Sequence, residues 1–384
     1  WEATSYKDWS AEKQEHIFKY WKAKLAPVPL LPLKWREYLR EPAKLLTQCE
    51  GDRATCERYA CLYGNYVPMH LLDEEELPID GTAEEYIHQW LGCPEKNYIL
   101  LLGDFGDGKT YFTYTLARKI AKGFIESPET GWIPLRFTLS DLRDSPMDCR
   151  EFLYRRLREF GGTLSEWNDI QRDYKFLIIL DGLDEMSLGM NDTAVLENLG
   201  RLEELIEQFK GHKLIITSRK MAIYADKIRE RILDCLSGPE ILHLAPITQR
   251  DRLAFLKNLA DTPQRKERLL KMQNTHDLLG LAAKPLFLEM MQVLLDDDDI
   301  RELDAAGIYQ QYTEKVLARK FKMQLRLNND YTTPERVRAN VIHLLEELAL
   351  CLQAEGSDSI SLDDFKKKIG QDNLADMLWS TIGT

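Results

Sequence analysis

The segment Gly103-Asp-Phe-Gly-Asp-Gly-Lys-Thr110 most constrains what this 384-residue chain can fold into. It has the spacing GxxxxGK[ST], it follows the apolar run Tyr98–Leu102, and it opens a segment of helical composition, Thr110–Lys122. Between a strand and a helix, the backbone N–H groups of such a loop surround phosphate groups. We therefore predict a nucleoside triphosphate site in which Lys109 reaches the β- and γ-phosphates and the Thr110 hydroxyl binds Mg²⁺.

The residues predicted to bind the nucleotide belong to this segment, called the phosphate loop below, and to the start of the helix that follows it. They are Gly103, Gly106, Asp107, Gly108, Lys109, Thr110 and Tyr111.

Composition and charge argue against several classes of protein. An apolar content of 44% supports well-packed cores, and the length allows two or three domains. A net charge of −12 repels a phosphate backbone at long range, so nucleic acid is not an expected partner. No apolar stretch reaches the roughly eighteen residues needed to cross a bilayer. The 7 scattered cysteines form no CxxC pair, which favours reduced thiols in a cytoplasmic protein over a metal site.

From Asn97 onward, short apolar segments alternate with amphipathic ones, which predicts a parallel sheet with crossover helices ending near Ala245. The predicted strands are Tyr98–Leu102, Trp132–Thr138, Lys175–Leu180, Lys213–Thr217 and Ile241–Leu244, and the helices between them are Thr110–Lys122, Cys149–Phe160 and Ala194–Phe209.

Before this region, Tyr66–His70 is predicted as an edge strand, because Pro68 would interrupt a central one. Thr82 is the predicted N-cap of a helix that runs to Leu91. After Pro246 the strand signals stop and helical periodicity takes over. The predicted helices there are Thr248–Leu259, Gln264–Met272, Leu286–Leu295, Tyr309–Arg319 and Pro334–Leu352. A last short helix is predicted within Ile360–Ile369, where a Ser-x-x-Asp pattern marks its start.

A second element of phosphate chemistry follows the apolar run Phe176–Leu180, where the sequence reads Asp181-Gly-Leu-Asp184-Glu185. Asp181 ends the predicted strand at the edge where a parallel sheet presents its ligand crevice, so we predict that it holds Mg²⁺ directly or through a water. Asp184 and Glu185 are candidates to polarise the nucleophilic water.

A third element is Arg219, which follows the predicted strand Lys213–Thr217. A cation at that strand end would lie near the γ-phosphate, where it can sense or stabilise charge. The alternative is an ordinary surface ion pair. Asp184, Glu185 and Arg219 are therefore the predicted catalytic residues.

Together, these three elements resemble the phosphate-site motifs of the NACHT family, which belongs to the STAND class of signal-transduction ATPases. The form Asp-Gly-hydrophobe-Asp-Glu is typical of that family. Three further segments resemble its second strand, the strand that leaves its nucleotide domain, and the Asn-Pro-Leu-x-Leu segment of its small helical domain: Trp132–Arg143, Leu242–Ile247 and Ala282–Leu288. The resemblance covers about Tyr66 to the C-terminus, and it implies that Pro285 packs on the nucleotide.

The resemblance implies an α/β P-loop NTPase fold, a parallel sheet with crossover helices, followed by a helical domain and a partial winged-helix domain. The implied domains are an N-terminal helical linker at 1–80, the nucleotide-binding domain at 81–245, the small helical domain at 246–305 and a truncated winged-helix domain at 306–384. Phe105 and Asp107 depart from the family's loop pattern, and the family's β-phosphate-sensing histidine has no match in this sequence. A chain that starts at Trp1 without an initiator Met is expected to be a fragment.

The implied function is a switch that binds ATP or ADP with Mg²⁺ and hydrolyses ATP slowly. An unknown trigger would drive self-association and activate an effector outside this fragment, in antiviral defence or innate immunity. No membrane contact is expected. The alternative is an AAA+-like motor or a nucleic-acid-dependent loader with steady turnover, which the acidic charge disfavours. A scaffold with an inactive nucleotide site is disfavoured because Lys109, Thr110, Asp181 and Glu185 are all present.

Overall fold

A computed structural model gives the fold of most of the chain after residue 65. It describes residues 66–127, 130–143, 151–153, 155, 164–186, 192–220, 226–236, 238–259, 262–267, 282–295, 307–315, 334–355, 360 and 362–369. The predictions for residues 1–65 and for most of the helix Cys149–Phe160 lie outside these ranges.

The five strands predicted from Tyr98 onward are present in the predicted order, whereas a strand at Leu71–Leu72 and helices at Leu139–Arg143, Leu164–Asp173 and Asp226–Cys235 were not predicted. The strands are β1 Leu71–Leu72, β2 Tyr98–Leu102, β3 Trp132–Thr138, β4 Lys175–Asp181, β5 Lys213–Ser218 and β6 Glu240–Leu244. The helices are α1 Ala83–Leu91, α2 Lys109–Glu126, α3 Leu139–Arg143, α4 Leu164–Asp173, α5 Asp192–Gln208, α6 Asp226–Cys235, α7 Gln249–Leu259, α8 Pro285–Leu295, α9 Pro334–Glu355 and α10 Leu362–Ile369, with a 3₁₀ turn at Leu183–Met186. Residues 263–267 and 307–315 are also helical.

Within the described residues the strands form one six-stranded sheet in the order β1-β6-β2-β5-β4-β3. Strands β2 to β6 are parallel, as predicted, whereas β1 pairs antiparallel with β6 at the edge. The parallel sheet predicted from Asn97 onward is confirmed for these five strands, and the antiparallel edge strand β1 makes the sheet as a whole mixed. The predicted edge strand Tyr66–His70 is wrong, because the Met69 carbonyl accepts a hydrogen bond from Ala83 N (2.8 Å) and pairing begins only at Leu71.

Apolar side chains cover both faces of the sheet, as expected for buried parallel strands. On one face, Ile99 and Leu101 of β2 pack with Phe112 and Leu116 of α2 and with residues of α1. On the other face, Leu100 of β2 packs in a cluster with residues of α4 and α5. Helix α1 begins as predicted: Thr82 is its N-cap in a capping box with Glu85.

The parallel register aligns the strand ends on one edge of the sheet. Leu102, the last residue of β2, pairs with Ser218 of β5, and Thr138 of β3 pairs with Asp181 of β4. Strand β5 lies between β2 and β4. The segments that follow β2, β4 and β5 therefore leave the sheet at the same edge, where parallel sheets bind ligands.

Helices α7 and α8 and the helical residues 307–315 pack together in a separate apolar cluster. It joins Phe255 of α7, Phe287 and Met291 of α8 and Ile308 of residues 307–315 to Val67, which precedes β1. A helical region after β6 is thus observed, while its division into a small helical and a winged-helix domain stays a prediction. Among the described residues, no helix is long and apolar enough to cross a membrane.

Candidate nucleotide-binding site

The phosphate loop joins the end of β2 to the start of α2. Gly106 and Gly108 both have positive φ values, 83° and 86°, which a side chain disfavours. Helix α2 begins directly at Lys109, so its first N–H groups, which have no partner within a helix, lie at the loop. The Lys109 ammonium folds back and donates to the carbonyl oxygens of Gly103 (2.6 Å) and Asp104 (3.2 Å). The loop is thereby held in a compact turn around this cation.

Asp181 is the centre of a buried hydrogen-bond network at the end of β4. Its Oδ2 atom accepts from the Thr110 hydroxyl at 2.9 Å, and its Oδ1 atom accepts from the Thr217 hydroxyl at 2.7 Å. The loop threonine and the strand-end carboxylate that were predicted separately as Mg²⁺ ligands are therefore in direct contact. Thr217 also accepts from the Gly182 backbone N–H at 3.0 Å, which fixes the turn after Asp181.

Arg136 of β3, which was not among the predicted site residues, forms a buried ion pair with this network. The residue is only 2% exposed, and its Nη2 atom lies 2.5 Å from Asp181 Oδ2. Its other nitrogens donate to the hydroxyls of Thr113 (3.1 Å) and Thr138 (3.3 Å), and its guanidinium stacks on the Tyr114 ring at 3.9 Å. One feature of the sequence could have identified Arg136: it is the single charged residue in the largely apolar strand β3. A buried cation needs a partner, so such a residue indicates a buried ion pair.

Asp184 and Arg219 form a second ion pair beside the loop. Arg219 Nε lies 2.8 Å from Asp184 Oδ2, and the Arg219 backbone N–H donates to Asp184 Oδ1 at 3.1 Å. The Arg219 guanidinium also lies 5.5 Å from the centre of the Phe105 ring, which is 67% exposed. Glu185 lies one residue further along the 3₁₀ turn, is half-buried and lines the same cavity.

The segment Ala282–Leu286, called the lid segment below, contacts the phosphate loop directly. Leu286 N donates to the Gly106 carbonyl at 3.3 Å, and Lys284 Nζ donates to the Phe105 carbonyl at 3.2 Å. Lys284 also pairs with Asp107, whose carboxylate accepts from Asp104 N within the loop. Asp107 thus lies against the loop and the lid segment.

Pro285 packs against the phosphate loop at Gly108. A Cβ atom on Gly108 would lie 2.9 Å from Pro285 Cγ and 2.7 Å from Met69 Cε. Only glycine lets these two side chains approach the loop so closely.

A cavity of about 330 Å³ lies between the sheet edge and the helical region. The charged and hydroxyl groups in its lining include Lys109, Thr110, Asp181, Glu185 and Arg219. The apolar and aromatic groups in its lining include Val67, Met69, Tyr111, Ile247, Phe255, Pro285 and Leu288. The cavity therefore brings together Lys109, Thr110, Tyr111, Asp181, Asp184, Glu185, Arg219 and Pro285, together with the loop glycines Gly106 and Gly108.

Two of the predicted residues, Gly103 and Asp107, belong to the phosphate loop but do not line the cavity. A Cβ atom on Gly103 would lie 3.4 Å from Asp107 Cβ and from Lys109 Cγ. They therefore contribute to the shape of the loop.

Burial lowers the pKa of the Lys109 ammonium, and the nearby carboxylates of Asp184, Asp181 and Asp107 oppose that shift. The carboxylates repel a bare anion, so this arrangement suits phosphate groups that bring their own Mg²⁺ to offset the acidic charge.

The residues present fit Mg²⁺ together with a nucleotide. Mg²⁺ prefers oxygen ligands and is commonly held by one or two protein groups plus phosphates and waters. Thr110 and Asp181 supply those oxygens, and within the described residues there is no group of three or more metal-binding side chains that would make a separate metal site. The helix N-terminus and the Lys109 ammonium fit the phosphates.

The fold and the site together define a P-loop NTPase: a phosphate loop between β2 and α2, with a strand-end aspartate that bonds the loop threonine. Residues 97–261 match the family model described as NACHT domain. The chain therefore contains a NACHT domain, a P-loop NTPase domain of the STAND class.

Comparisons with individual proteins are more distant. The chain is 23% identical over 295 residues to an uncharacterised WD repeat-containing protein of Nostoc sp. (strain PCC 7120 / SAG 25.82 / UTEX 2576), an alignment that spans 69% of the chain but only 19% of the relative.

Two solved structures are matched at low TM-scores and low identity. They are the Aeropyrum pernix ORC1 protein in complex with DNA (TM-score 0.42, 15% identity, 80% of this chain and 84% of that one) and C. elegans PCH-2 (TM-score 0.35, 14% identity, 62% and 65%).

Proposed function

We propose that this chain is an ATP/ADP-dependent signal-transduction switch that hydrolyses ATP slowly. The observation that carries the proposal is the contact between the lid segment and the phosphate loop, through Lys284, Pro285 and Leu286. A nucleotide in the cavity would touch the sheet edge and the helical region at once. Its identity would therefore bias the angle between them, provided that the two arrangements bind ATP and ADP with different affinities.

The phosphate end of the nucleotide is assigned to the loop and to Asp181. Lys109 would exchange its carbonyl partners for β- and γ-phosphate oxygens. Thr110 and Asp181 would hold Mg²⁺, which when bound neutralises charge on the phosphates. Arg136 would keep the Asp181 carboxylate oriented toward Thr110.

Glu185 is the preferred candidate for orienting the attacking water. Asp184 is engaged by both the backbone N–H and the side chain of Arg219, so its role would be to hold that cation beside the γ-phosphate. The nucleoside end is assigned to the apolar side chains of the cavity lining, where Pro285 and Tyr111 are the predicted contacts.

Signalling would require parts beyond those described. We propose self-association in response to an unknown trigger and activation of an effector outside residues 1–384, in antiviral or innate-immune defence. The Nostoc relative, a much longer protein with WD repeats, supports a module that is combined with further domains.

The proposal predicts that the purified chain retains ADP or ATP and turns over slowly. Released nucleotide is identified by chromatography after denaturation, and phosphate release is measured with and without double-stranded DNA. Retained ADP and a slow rate that DNA leaves unchanged support the switch. An empty site, or fast turnover that DNA stimulates, would instead favour a motor or loader.

Replacing Glu185 by Gln is expected to lower the hydrolysis rate by about 10²–10⁴-fold while leaving ATP affinity nearly unchanged, because general-base assistance contributes that much to a rate. Asp184→Asn is the matched comparison and should alter ATP affinity as well, since it loosens Arg219. Single-turnover hydrolysis and isothermal titration give the two numbers. Equal losses of rate in both variants with unchanged binding would contradict this division of roles.

A further inference from the structure

Phe105 is an exposed aromatic side chain in the phosphate loop, and it belongs to the lining of the nucleotide cavity. A single exposed apolar side chain is common on protein surfaces and needs no explanation by itself. The position of this one is informative, because the guanidinium carbon of Arg219 lies over its ring, 5.5 Å from the ring centre. That distance is within the roughly 6 Å at which the face of an aromatic ring attracts a cation.

The backbone that carries the ring is held by hydrogen bonds. Asp104 N donates to Asp107 Oδ2 at 2.6 Å, and Asp107 N donates to the Asp104 carbonyl at 3.2 Å, which closes a turn around Phe105 and Gly106. Lys284 of the lid segment donates to the Phe105 carbonyl at 3.2 Å. The ring therefore projects from a defined turn that the lid segment contacts.

Arg219 makes two contacts of different kinds. Its Nε atom lies 2.8 Å from Asp184 Oδ2 in an ion pair, whereas the Phe105 ring contacts the guanidinium through its face. An aromatic face attracts a cation without accepting any of its N–H groups in an ordinary hydrogen bond. A second carboxylate at that place would offset the charge of the cation and compete with phosphate oxygens for its donors. The ring can thus orient the guanidinium and leave its charge available to a phosphate.

We propose that Phe105 is a positioning residue that holds the Arg219 guanidinium in place for the γ-phosphate of ATP. The inference rests on the proposed function, in which Arg219 lies beside that phosphate. Because the carbonyl of Phe105 contacts Lys284, one residue connects the lid segment to the arginine. Stacking on Phe105 then matters for ATP and its hydrolysis, and not for ADP, which has no γ-phosphate.

The main variant is Phe105→Leu, which removes the ring and keeps an apolar side chain. Single-turnover hydrolysis of saturating ATP is expected to slow about two- to fivefold, which is the effect of losing one cation–π contact at an exposed site. The affinity for ADP, measured by isothermal titration, should stay within about twofold of wild type. A substitution that only disturbed the phosphate loop would weaken ADP binding as well.

Two further variants test the stacking itself. Phe105→Tyr keeps the ring face and should restore most of the hydrolysis rate that Phe105→Leu loses. Ile125→Ala is the control, because it removes an exposed apolar side chain at the far end of α2, and it should hydrolyse ATP as the wild-type chain does.

A double-mutant cycle tests whether Phe105 acts through Arg219. In a chain that already carries Arg219→Ala, Phe105→Leu should slow hydrolysis no further, since the cation that the ring positions is gone. Circular dichroism confirms that each variant is folded.

Four results would overturn the proposal: no slowing in Phe105→Leu, equal slowing in Phe105→Tyr, a parallel loss of ADP affinity, or slowing that persists without Arg219. Each of them leaves the proposed function in place if the wild-type chain binds and hydrolyses ATP and Arg219→Ala slows it. If Arg219→Ala hydrolyses ATP as fast as the wild-type chain, the place of Arg219 beside the γ-phosphate is wrong, and the role of Phe105 is wrong with it. A wild-type chain that binds no nucleotide contradicts the proposed function and this inference together.

Discussion

Replacing Lys109 by Ala is expected to weaken ATP and ADP binding by roughly 100- to 10,000-fold. A hydrogen bond to a charged group contributes about 1.5–3 kcal/mol, and an ammonium that bridges two phosphates makes at least two of them. The ammonium already contacts two loop carbonyls, Gly103 O and Asp104 O, so its loss also loosens the phosphate loop. Isothermal titration of the nucleotide-free protein gives the affinities.

Lys122→Ala is the matched control for this experiment. Lys122 lies in the same helix α2, and its side chain is 77% exposed with only a 3.8 Å pairing to Glu126. It should bind nucleotide as the wild-type chain does. If Lys109→Ala bound ATP within a fewfold of wild type while remaining folded by circular dichroism, the cavity at the sheet edge would not be the phosphate site.

Replacing Arg136 by Met is expected to destabilise the fold by about 3–5 kcal/mol. The substitution removes the cation but leaves the Asp181 carboxylate buried without it, and such an uncompensated charge is the costly half of a broken pair. It also removes the donors to the Thr113 and Thr138 hydroxyls. Urea unfolding followed by circular dichroism measures the loss in the free energy of unfolding.

Two further variants separate the ion pair from general packing. Arg136→Met combined with Asp181→Asn should be less destabilised than the sum of the two single changes, because no unpaired charge remains. Arg136→Lys should recover only part of the stability, since an ammonium cannot stack on Tyr114 and donate in three directions with the same geometry. Additive losses in the double variant would contradict an energetic link between Arg136 and Asp181.

The sequence predicted the parallel core of the sheet almost to the residue, and the reason is physical. Each of these strands is a short apolar run buried on both faces, a pattern that surface segments do not share. The phosphate loop carries its own backbone requirement, since its positive φ values call for glycine at Gly106 and Gly108. Strong local rules of this kind can be read without knowing the rest of the fold.

Elements that depend on distant contacts were missed or misplaced. Helix α4 was not predicted because few of its residues are apolar, and among its described side chains Trp167 and Ile170 are the buried ones. The edge strand was placed too early because the partner of the Met69 carbonyl, Ala83, could not be known from local pattern.

The candidate site shows the same difference between residues identified by a local motif and residues that depend on distant contacts. Lys109, Thr110 and Asp181 were predicted as parts of one site because a motif identifies each of them. Arg136 was passed over because its partner lies 45 residues away along the chain. The separate pairing of Asp184 with Arg219 likewise required the geometry of the turn.

The contact of the lid segment with the phosphate loop has a thermodynamic consequence. If a nucleotide favours the arrangement in which Leu286 bonds Gly106, that arrangement must favour the nucleotide by the same factor. Residues such as Lys284, which contacts the loop carbonyl of Phe105, thereby become determinants of affinity without touching the ligand. Under the proposed function, nucleotide affinity then depends on the contact between the lid segment and the phosphate loop as well as on the residues that line the cavity. Anything that separates the lid segment from the loop would change that affinity by the same coupling.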